Sequence, residues 1–253
     1  MIPKIWRKAI GSDDKLPFTD HLDELRHRLI VSLVGIGLGF AVSYGFSQQL
    51  LLLLQRPMPA RLIFIAPTEA FVVNLKVALY AGLFLSVPLL LFQVWKFVAP
   101  GLYAHERQYS FPFLIISTVL FLIGAIFAYA VILPIALHFL IAQGGELWQP
   151  NITLSNYLSF CMRLILASGL IFEFPVLMYF LAKVGVVTPE FLVQNRKYAV
   201  LAAFVISAIL TPPDVFSQVL LALPLFLLFE VSIFVAKRVV SEQETADGPD
   251  QDE

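Results

Sequence analysis

The chain has 253 residues, of which 59% are hydrophobic and 14% are charged, and its mean hydropathy is +0.83. A soluble protein of this size could not bury so much apolar surface, so the composition excludes a soluble globular protein and predicts a polytopic membrane protein. The formal net charge of −1 gives no indication of nucleic-acid binding, and the single cysteine, Cys161, excludes an internal disulfide bond.

Six apolar stretches are predicted to be transmembrane helices, at residues 29–46, 71–98, 111–140, 157–181, 198–210 and 215–236. A spanning helix needs about 20 mostly apolar residues, and all but the fifth stretch approach or exceed this length. The basic tail before the first stretch resembles the start of a secretory signal peptide. Because no small-residue cleavage motif is obvious and further spans follow, we interpret the first stretch as a retained helix.

Lysine and arginine are distributed unevenly between the loops. They are frequent before the first span and after the second, fourth and sixth spans. The first loop has only Arg56 and Arg61, and the third and fifth loops have none. Because cytoplasmic loops retain positive charge, this pattern predicts six spans with both termini in the cytoplasm. The predicted organisation is a cytoplasmic tail at 1–18, a transmembrane domain at 19–238 and an acidic, disordered tail at 239–253.

Prolines inside the apolar stretches are predicted to bend several spans: Pro88, Pro134, Pro175 and Pro224. Each removes a backbone donor and frees a carbonyl one turn earlier, which in lipid must be satisfied by a neighbouring helix or by water. Bent helices that frame a concave surface are one interpretation, and kinks that are tolerated without a function are the other.

The fifth stretch is too short for a hydrocarbon core of about 30 Å at about 1.5 Å per residue. It ends at Thr211-Pro212-Pro213-Asp214, where the second proline predicts a turn. Stretches five and six could form a re-entrant hairpin, or short helices could cross a locally thinned bilayer. The basic pair Lys237 and Arg238 favours crossing, because it requires the cytoplasmic side.

Charged residues inside the apolar stretches are further candidates for function. Glu173 lies near the middle of the fourth span, where a charge costs about 2.5–3.5 kcal/mol. We expect its side chain to face protein or a water-filled cavity. Its carboxyl group could be functional, or it could form hydrogen bonds that serve the structure alone. Arg163 lies about three helical turns earlier, too far for a direct bond. Lys76 and Glu230, near span ends, are predicted to extend to the interface.

The predicted cytoplasmic face has two acidic residues of interest. Residues 19–29 form an amphipathic helical lead-in to the first span, in which Glu24 precedes Arg28 by four residues, so an ordinary surface ion pair is one interpretation. The Pro-Gly turn after the second span would present Glu106 on the same face as Glu24. Two carboxylates on a basic surface predict a cationic partner, and arginine is suited because its planar guanidinium binds a carboxylate through two hydrogen bonds.

Several segments resemble the TatC family, the receptor subunits of the twin-arginine system that exports folded proteins. The resemblance covers about residues 19–236 and rests on these motifs: HLDELR at 21–26, PTEAF at 67–71, QVWKFVAPGL at 93–102, HER at 105–107, FEFP at 172–175 and TPPDVFSQ at 211–218. It implies an all-α, cup-shaped fold of six transmembrane helices with both termini in the cytoplasm, the topology that the charge pattern also predicts.

The resemblance also implies a signal-peptide site. Glu24 and Glu106 would contact the paired arginines of a twin-arginine signal peptide, with Arg26, Phe97 and Leu102 nearby. No metal, cofactor or nucleic acid is implied.

Other residues receive roles from the same resemblance. The first periplasmic loop, around Pro57 and through Glu69, would cap the concave face, and Glu173 would lie buried in the cup. Residues Asp214 and Gln218 would affect transport.

The resemblance further implies partners and a location. The fifth and sixth helices near Thr211 and Gln218 would dock the single-span proteins TatA and TatB in a homo- and hetero-oligomer driven by the proton-motive force. The location would be a bacterial cytoplasmic (inner) membrane, because a chloroplast homologue would carry a Ser/Arg-rich transit segment.

Two other classes of protein compete with this hypothesis. A proton-coupled transporter of a small solute could use Glu173 as its titrating group, but such folds usually show two related halves, and no internal symmetry is visible here. An intramembrane enzyme is disfavoured because His105-Glu106 lacks the second histidine of a zinc-protease helix. We therefore expect no enzyme activity.

Overall fold

The computed structural model describes residues 18–98, 110–145, 151–212 and 214–246, without the side chains of residues 18–21, 98, 110, 111 and 242–246. Long apolar helices form most of it. In chain order the elements are α1 Phe18–Tyr44, α2 Ser47–Gln55, β1 Leu62–Ile63, α3 Pro67–Val98, α4 Ser110–Phe127, a π-helical segment Ala128–Ile132, α5 Leu133–Ala142, β2 Ile152–Thr153, α6 Leu154–Phe172, α7 Phe174–Lys183, α8 Pro189–Gln194, α9 Arg196–Leu210 and α10 Val215–Ala246.

Five helical segments in the described ranges are long and apolar enough to cross a bilayer. They are Leu22–Tyr44, Pro67–Phe97, Pro112–Ala142, Leu154–Lys183 and Val215–Ser241. The predicted all-α, polytopic membrane fold is therefore confirmed. Helix α9 has 15 residues, or about 22 Å, which is shorter than a hydrocarbon core of about 30 Å. A sixth crossing stays a prediction.

Strands β1 and β2 define one end of the helix bundle, called here the strand end. They pair in parallel, with Leu62 opposite Ile152 and Ile63 opposite Thr153. Helix α3 begins four residues after the end of β1, and α6 begins directly after β2. Both helices therefore start at the strand end and run in the same direction away from it.

Helices α1 and α3 are in backbone contact. A Cβ atom on Gly82 of α3 would lie 2.4 Å from the backbone nitrogen of Phe40, and one on Gly39 of α1 would lie 2.5 Å from the Gly82 carbonyl oxygen. The Ser86 hydroxyl is 2.9 Å from the Gly35 carbonyl oxygen and 2.8 Å from that of Gly82. In lipid no hydrophobic force drives two helices together, and small residues at a crossing allow the close van der Waals packing that stabilises the pair instead.

Two buried apolar clusters hold the remaining helices together. The first joins α3, the π-helical segment, α5, α6 and α10, and its fully buried members include Val73, Ile132, Leu133, Leu158, Cys161 and Leu221. The second joins α7, α8 and α10 through Met178, Ala182, Leu192, Phe229, Ile233 and Val239. Helix α10 belongs to both clusters and so links the two halves of the bundle.

Two of the four predicted proline kinks interrupt the α-helical pattern. The π-helical segment directly precedes Leu133-Pro134, and the break between α6 and α7 at Glu173 precedes Phe174-Pro175. Pro88 and Pro224 instead lie within continuous helices. The effect of each proline therefore depends on how the neighbouring turn is re-bonded.

The predicted start of the disordered tail at residue 239 is wrong. The backbone of α10 continues as a helix to Ala246. Residues 239–246 contain neither glycine nor proline, and their glutamate, glutamine and alanine favour helix, so the end of the apolar stretch does not end the helix. Residues 247–253 lie outside the described ranges.

Candidate functional site

Glu24 lies in the second turn of α1 and pairs with Arg28, one turn further along. Arg28 donates from Nη2 to Glu24 Oε1, and the two side chains are only 11% and 25% exposed. The ion pair expected from the spacing is thus confirmed, in a half-buried position rather than an open surface. The Arg28 Nε atom is buried without a hydrogen-bond partner.

Helix packing places the end of α3 beside Glu24. Contacts of Gly35 with Leu89 and of Gly39 with Gly82 show that α1 and α3 are antiparallel. Continuing this register brings the first turns of α1 to the last turn of α3, where Phe97 is half-buried. Arg26 is exposed. Leu102 and Glu106 lie outside the described residues, so their approach to Glu24 stays a prediction.

An aromatic cluster that we did not predict anchors the same end of α3. The Trp95 ring stacks on Phe113 of α4 at 4.0 Å between centroids and meets Phe180 of α7 edge-on at 5.4 Å. Trp95 is 8% exposed, and its Nε1 atom is buried without a partner. A tryptophan within the QVWKF segment, directly before the predicted site, was the available sequence signal.

Glu173 occupies the break between two helices. It ends α6 and precedes the first residue of α7, and its backbone carbonyl accepts the N–H of Leu177 at 2.9 Å. Its side chain is half-buried, with Ser117 of α4 as an interacting polar neighbour, and its Oε1 atom is buried without a hydrogen-bond partner. Glu173 therefore lies inside the helix bundle, where a partnerless carboxyl oxygen is costly.

Glu69 ties three segments together at the strand end. Its carboxylate accepts the backbone N–H of Ile65 at 2.9 Å and that of Ser155, in the first turn of α6, at 2.8 Å. Glu69 thus joins α3 to the loop before it and to α6. Pro57 is half-buried in the turn after α2.

Two tyrosine hydroxyls fix α2 against the bundle. Tyr129 donates to the Leu53 carbonyl and Tyr157 to the Leu54 carbonyl, both at 2.7 Å. Carbonyls in the last turn of a helix lack the usual partner four residues on; Tyr157 supplies a donor to the Leu54 carbonyl, and Tyr129 adds a second donor to the Leu53 carbonyl, which also accepts the Arg56 N–H at 3.2 Å. The segment from α2 to β1 is held from several sides.

Two charged residues near span ends have partners on neighbouring helices, and their extension to the interface stays a prediction. Lys76 Nζ donates to the Ser155 and Ser159 hydroxyls of α6, each at 3.3 Å. Glu230 of α10 pairs with Arg196 of α9 at 2.9 Å. In both cases a neighbouring helix supplies a partner that the position along the chain does not reveal.

The predicted docking residues hold the turn between α9 and α10. Thr211 donates from Oγ1 to the Ser207 carbonyl at 2.8 Å, and Gln218 Nε2 donates to the Phe204 carbonyl at 3.0 Å. Asp214 Oδ1 accepts the backbone N–H of Ser217 at 2.6 Å, which caps the start of α10. Asp214 Oδ2 and the Ser217 hydroxyl are buried without partners.

A surface cavity adjoins this turn. It has a volume of about 510 Å³, and its lining includes Gln143, Asp214 and Val219. Phe139 of α5 and Phe216 of α10, which also line it, stack at 4.1 Å between centroids. Within the described ranges, no group of three histidine, cysteine or acidic residues could hold a metal ion.

These features define an all-α, multi-pass membrane protein with a carboxyl group inside the helix bundle. Comparison with known sequences gives the family. Residues 20–224 match the profile described as Sec-independent protein translocase protein (TatC), and the chain belongs to this family.

Relatives and solved structures agree with this assignment. The chain is 42% identical to the Sec-independent protein translocase proteins TatC of Carboxydothermus hydrogenoformans and Aquifex aeolicus; the two alignments cover 89% and 88% of this chain and 94% and 95% of the relatives. A crystal structure described as twin arginine translocase receptor TatC superposes with a TM-score of 0.80 at 41% identity, covering 87% of this chain and 99% of that one.

Proposed function

We propose that the protein is the receptor subunit of a twin-arginine translocase. It binds the paired arginines of signal peptides on folded proteins at the end of the bundle opposite the strands. With TatA- and TatB-type partners it then exports these proteins across a bacterial inner membrane, driven by the proton-motive force. The observation that carries the proposal is the likeness to a twin-arginine translocase receptor over 87% of the chain at a TM-score of 0.80.

The described part of the binding site supports arginine recognition. The Glu24 side chain is only a quarter exposed and is oriented by Arg28, so an incoming guanidinium meets a carboxylate that is already positioned. Arginine offers a planar fork that matches a carboxylate, whereas lysine offers a single point charge. Glu106 is the proposed second carboxylate, with Arg26, Phe97 and Leu102 around the site.

Basic residues support the proposed orientation, with both termini in the cytoplasm. Lys183, Arg196 and Lys197 lie at the end of α7 and the start of α9, opposite the strand end. Because cytoplasmic loops retain positive charge, this end of the bundle faces the cytoplasm and the strand end faces the periplasm.

Helix α9 supports docking of single-span partners. Leu201, Val205 and Ile209 lie four residues apart along one face and are 61%, 51% and 73% exposed. In a membrane this ridge suits a second apolar helix, and Thr211, Asp214 and Gln218 hold the adjoining turn in place.

The test is peptide binding to the full-length protein in nanodiscs. A signal peptide with two arginines should bind about tenfold more tightly than one with two lysines. Glu24→Gln and Glu106→Gln should each reduce this preference, because glutamine keeps the shape but loses the charge. Glu190→Gln, which changes an exposed carboxylate on α8, serves as the matched control. Equal binding of both peptides to every variant would contradict the proposal.

A further inference from the structure

Two positively charged side chains meet at Ser159 of α6, inside the membrane-spanning part of the bundle. Lys76 of α3 donates from Nζ to the Ser159 hydroxyl at 3.3 Å, and Arg163 donates from Nε to the Ser159 carbonyl at 3.0 Å. Each cation is nine residues into its helix, or about 14 Å from the strand end. The Cα atoms of the two residues therefore lie at the same depth, and both side chains contact Ser159.

The surrounding charges do not balance this pair. Neither cation forms an ion pair with a carboxylate in the described ranges. Glu69 interacts electrostatically with Lys76, but its oxygens accept the backbone N–H groups of Ile65 and Ser155. One carboxylate beside two cations leaves an excess of one positive charge, which is costly within an apolar layer.

Arg163 is directed outward from the protein. Asn156, Arg163 and Leu170 are all exposed and lie seven residues apart on one face of α6, whereas Tyr157, Leu158 and Leu164 on the other face are buried. Helical side chains lean towards the N-terminal end of their helix, and the bond from Nε to the Ser159 carbonyl follows this direction. The guanidinium therefore extends towards the strand end and the headgroups of that leaflet.

We propose that Lys76 and Arg163 bind the phosphodiester of one membrane phospholipid in the leaflet at the strand end. A phosphodiester carries one negative charge, which equals the excess positive charge. The guanidinium fork matches phosphate oxygens, and Lys76 adds a point charge beside it. Leu170, 59% exposed and about 10 Å deeper along the same face, contacts the acyl chains.

Lipid binding to the full-length protein tests this site. Phosphatidylglycerol, whose phosphodiester is monoanionic, is titrated into the detergent-purified protein, and bound lipid is counted by native mass spectrometry. Diacylglycerol with the same acyl chains is the comparison lipid without phosphate. The wild-type protein should bind phosphatidylglycerol about tenfold more tightly than diacylglycerol. Arg163→Gln and Lys76→Gln should each lose most of this difference in affinity.

A matched variant controls for total charge. Lys197→Gln removes one positive charge from an exposed position at the start of α9 and should leave phosphatidylglycerol binding unchanged. A wild-type affinity in Arg163→Gln overturns the proposal, and this is the result expected if the anion is a carboxylate on a neighbouring helix. An equal loss in Lys197→Gln also overturns it, because the effect would then follow net charge alone.

Melting temperatures of the variants separate lipid binding from folding. If Arg163→Gln does not fold, Arg163→Lys decides the question. Lysine keeps the charge but loses the fork, so this variant should bind phosphatidylglycerol about threefold more weakly than wild type. Unchanged binding in both Arg163→Lys and Lys76→Gln would overturn the proposal.

Discussion

Glu69 uses both of its carboxylate oxygens to join segments that are 86 residues apart in the chain. It accepts one backbone N–H from the loop before α3 and one from the first turn of α6. Lys76 and the tyrosines Tyr129 and Tyr157 make further ties across the same end of the bundle. At the residue scale, these polar groups connect segments that are far apart in the chain.

Replacing Glu69 by glutamine should lower the melting temperature of the protein in detergent. Glutamine has one carbonyl oxygen for two backbone donors, and its amide N–H₂ group would face one of them. Thermal unfolding of Glu69→Gln should be compared with that of Glu190→Gln, where the carboxylate is exposed on α8. The same melting temperature for both variants would show that the Glu69 bonds contribute nothing to stability.

The charged residues show which part of the site sequence can predict. The Glu24–Arg28 pair was predictable because the helical spacing of four residues brings both side chains to one face. The partners of Lys76 and Glu230 were not, because they lie on other helices. Spacing within one helix is visible in the sequence, whereas the packing between helices is not.

At the scale of elements, the crossing of α1 and α3 sets the tightest packing requirement in the described ranges. Gly82→Ala would place a Cβ atom 2.4 Å from the Phe40 backbone nitrogen, and backbone atoms cannot move aside as a side chain can. We expect a loss of about 1–3 kcal/mol in the free energy of unfolding.

Gly37→Ala is the matched control, since its Cβ atom would meet nothing within 4 Å. This variant should be neutral or stabilised by up to about 1 kcal/mol. Chemical denaturation in mixed micelles measures both variants. Similar stabilities for the two would show that α1 can shift away from α3 without cost.

The lengths of the elements were partly predictable. Apolar length located the long helices, because spanning the hydrocarbon requires it. It did not reveal that α10 continues through polar residues to Ala246, since helix propensity rather than hydrophobicity sets that end. The helical backbone also starts at Phe18, so the amphipathic lead-in and the first span form one continuous helix.

At the scale of the whole molecule, the turn between α9 and α10 decides the number of crossings. Val215 at this turn is 78% exposed, while Gln194 of α8 is exposed at the opposite end of the bundle. A membrane-impermeant maleimide should label Val215→Cys only from the periplasmic side and Gln194→Cys only from the cytoplasmic side. The native Cys161 is fully buried and should not react.

A re-entrant hairpin predicts a different labelling pattern. The turn would then remain within the membrane, and Val215→Cys would react from neither side while Gln194→Cys still reacted from the cytoplasm. Labelling of Gln194→Cys from the periplasm would instead contradict the proposed orientation.

The pairing of β1 with β2 has a consequence for biosynthesis. The later part of the chain holds residues 47–66 through β2 and through the hydroxyls of Tyr129 and Tyr157, all of which are translated after the first two spans. When only the first two spans, α1 and α3, are in the membrane, this segment has none of these partners. Nascent chains that end before residue 129 should therefore be cleaved within residues 47–66 by added protease, and chains that extend beyond α7 should resist it.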